Sequence, residues 1–263
     1  MNKELIYVVK IGGNIIDDDQ RLASFLELFS RLPAKKILVH GGGKLATRLA
    51  SDLNIPQQMV EGRRITDAET LKIITMVYAG YINKNIVAEL QSLGCNAVGI
   101  SGADGNSILA HKRENTGLDY GFAGDIDQVN TGWFKRLLEN DTAIVVSPIT
   151  HDGNNQLLNT NADTIAQEIA KSMCADYEVN LVYSFEKPGV LQNVDDGGSV
   201  IKNLTASYYT ELKKSKKIFA GMIPKLDNAF MAIRTGVQKV IIGKGEELDL
   251  LITGITGTTI HHE

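Results

Sequence analysis

The chain has 263 residues, of which 43% are hydrophobic and 22% are charged, a balance typical of a folded globular protein. It is long enough for one large α/β domain or two lobes, and its composition excludes a disordered chain, a collagen and a coiled coil. The net charge of −4 provides no basic field for nucleic acid, so we expect no nucleic-acid partner.

The sequence also lacks the patterns of export and membrane insertion. Lys10 interrupts the first apolar stretch, and no apolar run approaches the ~18 residues that a membrane span requires. The two cysteines, Cys95 and Cys174, have no CxxC spacing and are expected to be reduced core thiols. We therefore expect a cytoplasmic protein with no membrane partner.

Short apolar runs alternate with amphipathic patterns along the chain. The runs predict strands at residues 5–11, 36–40, 97–100, 143–147, 179–183 and 237–242. Because these runs are continuously apolar, we expect strands buried on both faces of a sheet. The alternation with helices predicts an α/β fold, a three-layer αβα sandwich around a central, mostly parallel sheet.

Two amphipathic helices have recognisable starts. One begins at Thr66, whose spacing to Glu69 fits a capping box, and the other begins near Asn161. The first has apolar residues on one predicted face: Leu71, Ile74, Tyr78 and Tyr81.

Two further segments predict a projecting hairpin and a boundary between two lobes. Residues 111–130 are rich in Gly, Asp and Asn and predict an excursion or hairpin that projects from the sheet. A seam at residues 174–178 separates a completed helix from a new strand. We place the boundary there, with two lobes at residues 1–175 and 176–263.

Two glycine turns follow predicted strands. In the first, Lys10 precedes Gly12 and Gly13, which is equally consistent with an anion-binding turn and with a plain strand end. The second, VHGGGK at residues 39–44, can seat an anion on the amides at a helix start. It also fits the weak dinucleotide pattern G-x-G-x-x-A. The neighbouring His40 suggests a general base, although packing against the loop is the commoner role of such a histidine.

Polar groups at two helix starts are also candidates. Arg63 and Arg64 can clamp a carboxylate or remain at the surface. Asn159, Asn161 and Asp163 exceed what a helix cap needs, although capping alone can account for one of them.

Lys225 lies at the start of a third helix, where a cation opposes the helix dipole unless an anion is bound. The lysine-rich run at residues 213–217 most simply forms a solvated face, with some chance of helping nucleotide phosphates.

Together these motifs resemble the amino acid kinase family. The matching segments, in order and approximate spacing, are KIGGN, VHGGGK, EGRRIT, GISGADG, GDID with a following VN, LNTNAD, KPGVL and GMIPK. The resemblance covers essentially the whole chain and is greatest to members that phosphorylate an acylated glutamate in microbial arginine biosynthesis. It implies an N-terminal lobe for the N-acyl-L-glutamate and for homodimer contacts, and a C-terminal lobe for ATP.

The resemblance also implies roles for individual residues. Lys10 and Lys225 would flank the transferred phosphoryl group, and Asp163 would orient both lysines. The implied substrate-binding residues are Gly42, Gly43, Arg64 and Asn159. The implied ATP-binding residues are Gly12, Gly13, Glu186, Gly189 and Lys217. Mg²⁺ would bridge the ATP phosphates with few or no protein ligands, so no residue is assigned to the metal.

Two departures from the family pattern modify these expectations. Where family members have Thr-Asp or Ser-Asp before the adenosine-contacting glycine, this chain has Ser184-Phe185-Glu186-Lys187 and then Pro188-Gly189. The chain also starts close to its first strand, without the N-terminal helix with which arginine-inhibited members form hexamers. We therefore expect a homodimer insensitive to arginine.

Other functions agree less well with the motifs. A dehydrogenase leaves Lys10, Asp163 and Lys225 without a role. A non-catalytic sensor on the same fold is expected to have lost one of these three. Aspartate, carbamate, uridylate and glutamate 5-kinases are alternatives in the family, but EGRRIT with LNTNAD favours an acylated glutamate. The acyl group stays open between acetyl and succinyl, or an aminoadipate on a carrier protein.

Overall fold

The computed structural model describes residues 3–60, 63–114, 117–193, 195–215, 218 and 222–262. Its strands are β1 (Glu4–Ile11), β2 (Lys35–His40), β3 (Gln58–Val60), β4 (Arg63–Ile65), β5 (Ala97–Ile100), β6 (Ile108–Lys112), β7 (Gly124–Val129), β8 (Ala143–Val146), β9 (Ile149–His151), β10 (Leu157–Asn159), β11 (Tyr177–Phe185), β12 (Asn203–Leu204), β13 (Lys239–Lys244) and β14 (Thr258–His261). All six strands predicted from apolar runs are present, with ends that differ by up to two residues.

Helices fill most of the connections between these strands. They are α1 (Gly13–Ile16), α2 (Asp19–Ser30), α3 (Gly43–Asp52), α4 (Ala68–Thr75), α5 (Asn83–Ser92), α6 (Thr131–Glu139), α7 (Ala162–Met173), α8 (Ala206–Lys214), α9 (Ile223–Arg234) and α10 (Leu248–Ile252). A π-helical segment, Met76–Ile82, joins α4 to α5 without a break.

The large sheet separates two hydrophobic cores. Among the described residues it has eight strands in the order β12-β14-β13-β11-β1-β2-β8-β5, and the β13–β14 pair is antiparallel while its other pairs are parallel. Alternate residues of β1 contribute to different cores, Ile6 and Val8 to one and Tyr7 and Val9 to the other. Helices α6 to α9 cover the first core, and α2 to α5 cover the second. The predicted αβα sandwich is confirmed.

The predicted excursion at residues 111–130 is a hairpin. β6 and β7 pair antiparallel, and with β9 and β10 they form a second sheet in the order β10-β9-β6-β7. This smaller sheet brings β10 and the start of α7 beside the glycine turn that follows β2, because residues from both segments line one cavity.

Two sequence-based details are wrong. The N-cap of α4 is Asp67 rather than Thr66, because the Asp67 side chain accepts a hydrogen bond from the Thr70 N–H at 2.7 Å. Tyr81 is 62% exposed instead of facing the core with Tyr78, because the π-helical segment changes the helical phase beyond Thr75.

The division into lobes at residue 175 stays a prediction. The strands on either side of it, β1 and β11, are neighbours in the large sheet. Over the described residues, none of the helices combines the length and the apolar character needed to cross a membrane.

Candidate active site

The carboxyl ends of the central parallel strands meet at one edge of the large sheet. β1 ends at Ile11 and is followed by Gly12 and Gly13, and β2 ends at His40 directly before a run of three glycines. The Gly41 N–H donates to Ile11 O at 3.3 Å, which ties the two glycine turns together. Ligands of open α/β sheets bind at this edge, so a site is expected here.

Lys10 and Asp163 form an ion pair at this edge. Lys10 Nζ lies 2.8 Å from Asp163 Oδ1, with side chains that are 12% and 25% exposed. Asn161 is the N-cap of α7, because its Oδ1 accepts from the N–H groups of Asp163 and Thr164 at 2.8 and 3.2 Å. Capping therefore does not explain the Asp163 carboxylate, which is left to hold the lysine.

Lys225 lies in the first turn of α9, with its Nζ 3.9 Å from the centroid of the Phe185 ring. Burial lowers the pKa of Lys225 below its ordinary value of 10.5, Asp163 opposes that shift, and Lys10 adds to it. Within the described part of the chain, Lys225 has no carboxylate within ion-pair distance. Asp163 therefore contacts Lys10 directly and acts on Lys225 only at longer range.

A cavity of about 550 Å³ opens beside the two lysines. It is lined by six of the residues named from the resemblance: Lys10, Gly12, Gly13, Glu186, Gly189 and Lys225. Its apolar wall comes from Ile15, Phe185, Val190, Leu191, Ile218 and Met222. Sequence reasoning missed Asn14, Arg21 and Glu246, which also line it. Lys217 is outside the described residues, so its expected nucleotide contact stays a prediction.

Gly189 has a packing role as well as a place in this wall. Its φ is +159°, and a Cβ there would lie 2.8 Å from Thr258 Oγ1 and from Val200 Cγ1. The Thr258 hydroxyl in turn accepts the Val190 N–H at 2.8 Å. A side chain at position 189 would therefore disturb the cavity wall and the start of β14.

A second cavity of about 180 Å³ is lined by all four residues expected to bind the acylated glutamate: Gly42, Gly43, Arg64 and Asn159. Asn161 and Ala162 also line it, and they directly precede Asp163 in the chain. The structure thus brings the four predicted substrate residues to one cavity and the described ATP residues to another, and the ion pair links Lys10 of the larger cavity to the residue that follows Ala162 of the smaller one.

Arg64 is buried, with 7% of its surface exposed, and its guanidinium group makes hydrogen bonds within the protein. Its Nη1 donates to Gln57 Oε1, and its Nη2 donates to Gly43 O at 3.0 Å and to Thr47 Oγ1 at 2.9 Å. These bonds fix the guanidinium against the glycine turn. Arg64 therefore faces the cavity as a pre-oriented cation and not as a mobile surface charge.

Two further guanidinium groups line the smaller cavity. Arg63 is exposed, and Arg113 pairs with the carboxylate of Asp125, whose hydrogen bond raises the arginine pKa. The hairpin supplies Arg113, and no periodicity or spacing in the sequence points to it. Only the motif GDID, which contains Asp125, marked that part of the chain.

The start of α3 also lines the smaller cavity. Gly42 is the N-cap and has no side chain, so no side-chain oxygen caps the first amides of this helix. Its φ is +147°, and a Cβ would lie 2.2 Å from Ile82 Cδ1, so the position requires glycine. Uncapped amides at a helix N-terminus favour an anionic ligand.

Comparison with known proteins agrees with this arrangement. The family model described as the amino acid kinase family matches residues 6–244. The chain belongs to the amino acid kinase family. It is 55% identical over 248 residues to the acetylglutamate kinase of Cytophaga hutchinsonii, covering 94% of each chain. It is 50% identical to the acetylglutamate kinase of Phocaeicola vulgatus, covering 91% of this chain and 93% of that protein.

A solved structure of the same fold is that of smu.665 from Streptococcus mutans. It superposes with a TM-score of 0.78 at 25% identity and covers 98% of both chains. The two chains thus share the fold over nearly their full length at 25% sequence identity, and a shared fold does not by itself assign a function.

The carboxylates of the site suit a metal ion that is bound mainly by the phosphates of a substrate. Among the described residues, no group of three or more His, Cys, Asp or Glu side chains could hold a metal ion. Glu186 and Glu246 line the larger cavity singly, and Asp163 is occupied by Lys10. This donor set fits Mg²⁺, which binds through substrate phosphates and one or two carboxylates, and does not fit a resident metal cage.

Proposed function

We propose that this protein is an acetylglutamate kinase, which transfers the γ-phosphoryl group of ATP to the side-chain carboxylate of N-acetyl-L-glutamate. The observation that carries the proposal is the pair of cavities, one lined by Lys10 and the other by the two residues that precede its ion-pair partner Asp163. The larger one suits a nucleotide, because an apolar wall ends in Lys10 and Lys225. The smaller one suits a dicarboxylate, because helix amides and arginines line it.

In the proposed mechanism, a carboxylate oxygen of the substrate bonds to the γ-phosphorus while the bond to the β–γ bridging oxygen breaks. ADP leaves with that electron pair, and the product is an acyl phosphate. No general base is required, because a carboxylate is already ionised at pH 7. Positioning and charge neutralisation therefore account for most of the catalysis.

Each side of the reaction has its own group of residues. Lys10 and Lys225 would neutralise charge on the transferred phosphoryl group and on the leaving ADP. The amides of Gly42 and Gly43 would hold the reacting carboxylate, and Arg64 and Asn159 the α-carboxylate end of the substrate. Mg²⁺ held by the ATP phosphates, with Glu186 or Glu246 as a protein ligand, would reduce the repulsion between the two anions.

The test is ADP release on addition of N-acetyl-L-glutamate and MgATP, with L-glutamate as the control that lacks the acyl group. Formation of a hydroxylamine-reactive acyl phosphate in step with ADP confirms carboxylate transfer. ADP release that does not depend on the acylated substrate would contradict it.

N-succinyl-L-glutamate is a second candidate substrate, favoured by the arginines of the smaller cavity. Arg63 and Arg113 line it in addition to Arg64, and a succinyl group ends in a carboxylate that an acetyl group lacks. Assays of the two substrates side by side separate the candidates. If the succinyl compound is the substrate, Arg63→Leu should lower kcat/KM for it and leave the acetyl compound unaffected.

The proposal extends to a homodimer that acts in the cytoplasm, with acyl-glutamate binding in residues 1–175 and ATP binding in residues 176–263. The exposed side chains of Met76 and Tyr81, which are 56% and 62% exposed, support a dimer. They are five residues apart in a π-helix, whose hydrogen bonds join residues five apart, so they lie on one side of it. Such a pair of large apolar side chains suits contact with a second copy.

A further inference from the structure

A buried polar chain lies behind the glycine turn that follows β2, and the proposed mechanism does not use it. His40 is 0% exposed and Asn83 is 1% exposed. Asn83 Nδ2 lies 3.0 Å from Val145 O and 3.2 Å from His40 Nε2, and His40 Nδ1 lies 2.8 Å from Gly41 O. Gly99 makes room for this chain, because a Cβ there would lie 2.0 Å from Asn83 Oδ1.

The chemistry of these contacts fixes the tautomer of the imidazole. Val145 O can only accept, so the group of Asn83 beside it must be the amide NH₂. Its second hydrogen is donated to His40 Nε2, which must then be an unprotonated acceptor. The proton of the neutral ring is therefore on Nδ1, from which it is donated to Gly41 O. Burial lowers the pKa of His40 to about 4, so the ring is neutral at pH 7.

Both backbone groups of Gly41 are thus held, the N–H by Ile11 O and the carbonyl by His40. In a planar trans peptide, the carbonyl of Gly41 and the N–H of Gly42 point in opposite directions. A carbonyl that faces the buried ring therefore turns the Gly42 N–H away from the core, towards the cavity that Gly42 lines. Within the described residues, this N–H donates to no protein group.

We propose that His40 is a positioning residue, whose Nδ1–H anchors the Gly41 carbonyl and so keeps the Gly42 N–H aimed at the reacting oxygens. The inference rests on the proposed function. A fixed amide stabilises the charge that develops in the transition state more than it stabilises bound substrate. Without the anchor, a peptide between two glycines can rotate, and its carbonyl would then repel the same oxygens.

Two substitutions separate this anchor from simple packing. His40→Asn carries an amide NH₂ near the position of Nδ1 and can still donate to Gly41 O, but it leaves Asn83 without its partner. His40→Gln carries its amide near the position of Nε2 and can accept from Asn83, but it no longer donates to Gly41 O. Both replace a buried ring by a smaller polar side chain, so their packing costs are matched.

We expect His40→Gln to lose on the order of 10²-fold in kcat, with KM for both substrates within a few-fold of the parent. His40→Asn should retain kcat to within about tenfold, as a rescue by the variant that keeps the donor. Equal losses of kcat in both variants, or an unchanged kcat in His40→Gln, would overturn the proposal.

The ¹⁵N spectrum of histidine-labelled parent protein gives a second test that needs neither turnover nor a folded variant. The His40 ring is identified by through-bond correlation of its nitrogens to the assigned His40 backbone signals. A neutral ring protonated on Nδ1 is expected, and a ring protonated on Nε2, or on both nitrogens, overturns the anchor. If the parent turned over no acylated glutamate, the proposed function would fail and this spectrum would still decide the tautomer.

Discussion

At the scale of single residues, the contact between Lys10 and Asp163 assigns the roles of the polar residues at the start of α7. Their 2.8 Å ion pair joins the end of β1 to the first turn of α7. Because Asn161 caps that helix, the two roles that the sequence left open for the polar cluster fall on different residues. Asn161 caps the helix, and Asp163 supplies the carboxylate that pairs with Lys10.

Asp163→Asn should therefore slow turnover without unfolding the protein. The substitution removes the charge that holds Lys10, so we expect kcat to fall on the order of 10²-fold or more, with KM for both substrates within a few-fold. Because the Asn161 cap is retained, the protein should stay folded, with a loss in free energy of unfolding of about 1–3 kcal/mol from leaving Lys10 without its carboxylate. Steady-state kinetics and urea denaturation measure the two effects.

A matched control is Asp176→Asn, which breaks the Lys135–Asp176 ion pair of 3.0 Å away from both cavities. Turnover of this variant should equal that of the parent. Normal turnover in Asp163→Asn together with a lowered melting temperature would instead leave Asp163 with a structural role alone.

The lowered pKa of Lys225 predicts how activity depends on alkaline pH. The lysine must be protonated to neutralise phosphate charge, and deprotonation occurs as pH rises through its pKa. Because burial lowers that pKa below 10.5, the alkaline limb of kcat/KM should begin below the range of an ordinary lysine. Lys225→Arg, which stays protonated, should shift this limb to higher pH or remove it. An identical limb in parent and variant would assign the titration to another group.

At the scale of elements, the π-helical segment and the glycine turn after β2 depend on each other. Ile82 and Tyr78 pack against Gly42, where a Cβ would lie 2.2 Å from Ile82 Cδ1 and 3.2 Å from Tyr78 Cδ1. The helix that connects α4 to α5 thus packs under the turn that is proposed to bind the substrate. A change in this packing should reach the site without touching a ligand.

Gly42→Ala tests this dependence. The positive φ and the close contact should destabilise the protein by on the order of 2 kcal/mol or more and lower kcat as well. The matched control is Gly80→Ala, two residues from Ile82, where an added Cβ meets nothing within 4 Å. That variant should be neutral or slightly stabilised, because alanine is the better helix former. Similar melting temperatures and activities in both variants would contradict the packing argument.

At the scale of the whole molecule, the proposed dimer predicts an effect of charge on the exposed side of the π-helical segment. Tyr81→Glu should convert the dimer to a monomer, measured as mass by light scattering at micromolar concentration, because a carboxylate would be buried at the contact. Ile255→Glu alters an apolar residue of similar exposure, 61%, just after α10 and should leave the mass unchanged. A parent protein that is monomeric at this concentration would contradict the dimer.

Both cavities lie along one edge of a sheet whose strands come from the whole length of the chain. Lys10 lies at the end of β1, Asp163 in the first turn of α7 and Lys225 in the first turn of α9. In the proposed reaction, residues more than 200 positions apart therefore act on one phosphoryl group. Parallel strands explain this convergence, because their carboxyl ends all meet at the same edge.

The sequence by itself determined six strands of the large sheet and the residues of the motifs. Continuous apolar runs predict strands buried on both faces, and glycine turns beside a lysine suggest anion-binding turns, because both are local patterns. The glycine turn before Lys44 and the presence of a helix cap within residues 159–163 follow from local residue types. These features could be inferred before any contact was known.

Only the tertiary structure decided which side chains meet. Arg113 of the hairpin lines the smaller cavity, the Asn83 amide contacts His40 Nε2, and the π-helical segment exposes Tyr81 while burying Tyr78. Each of these outcomes depends on contacts between segments distant in the sequence, or on a helical phase set by packing. Local propensity carries no information about such contacts, because their energies appear only once the sheet has brought the segments together.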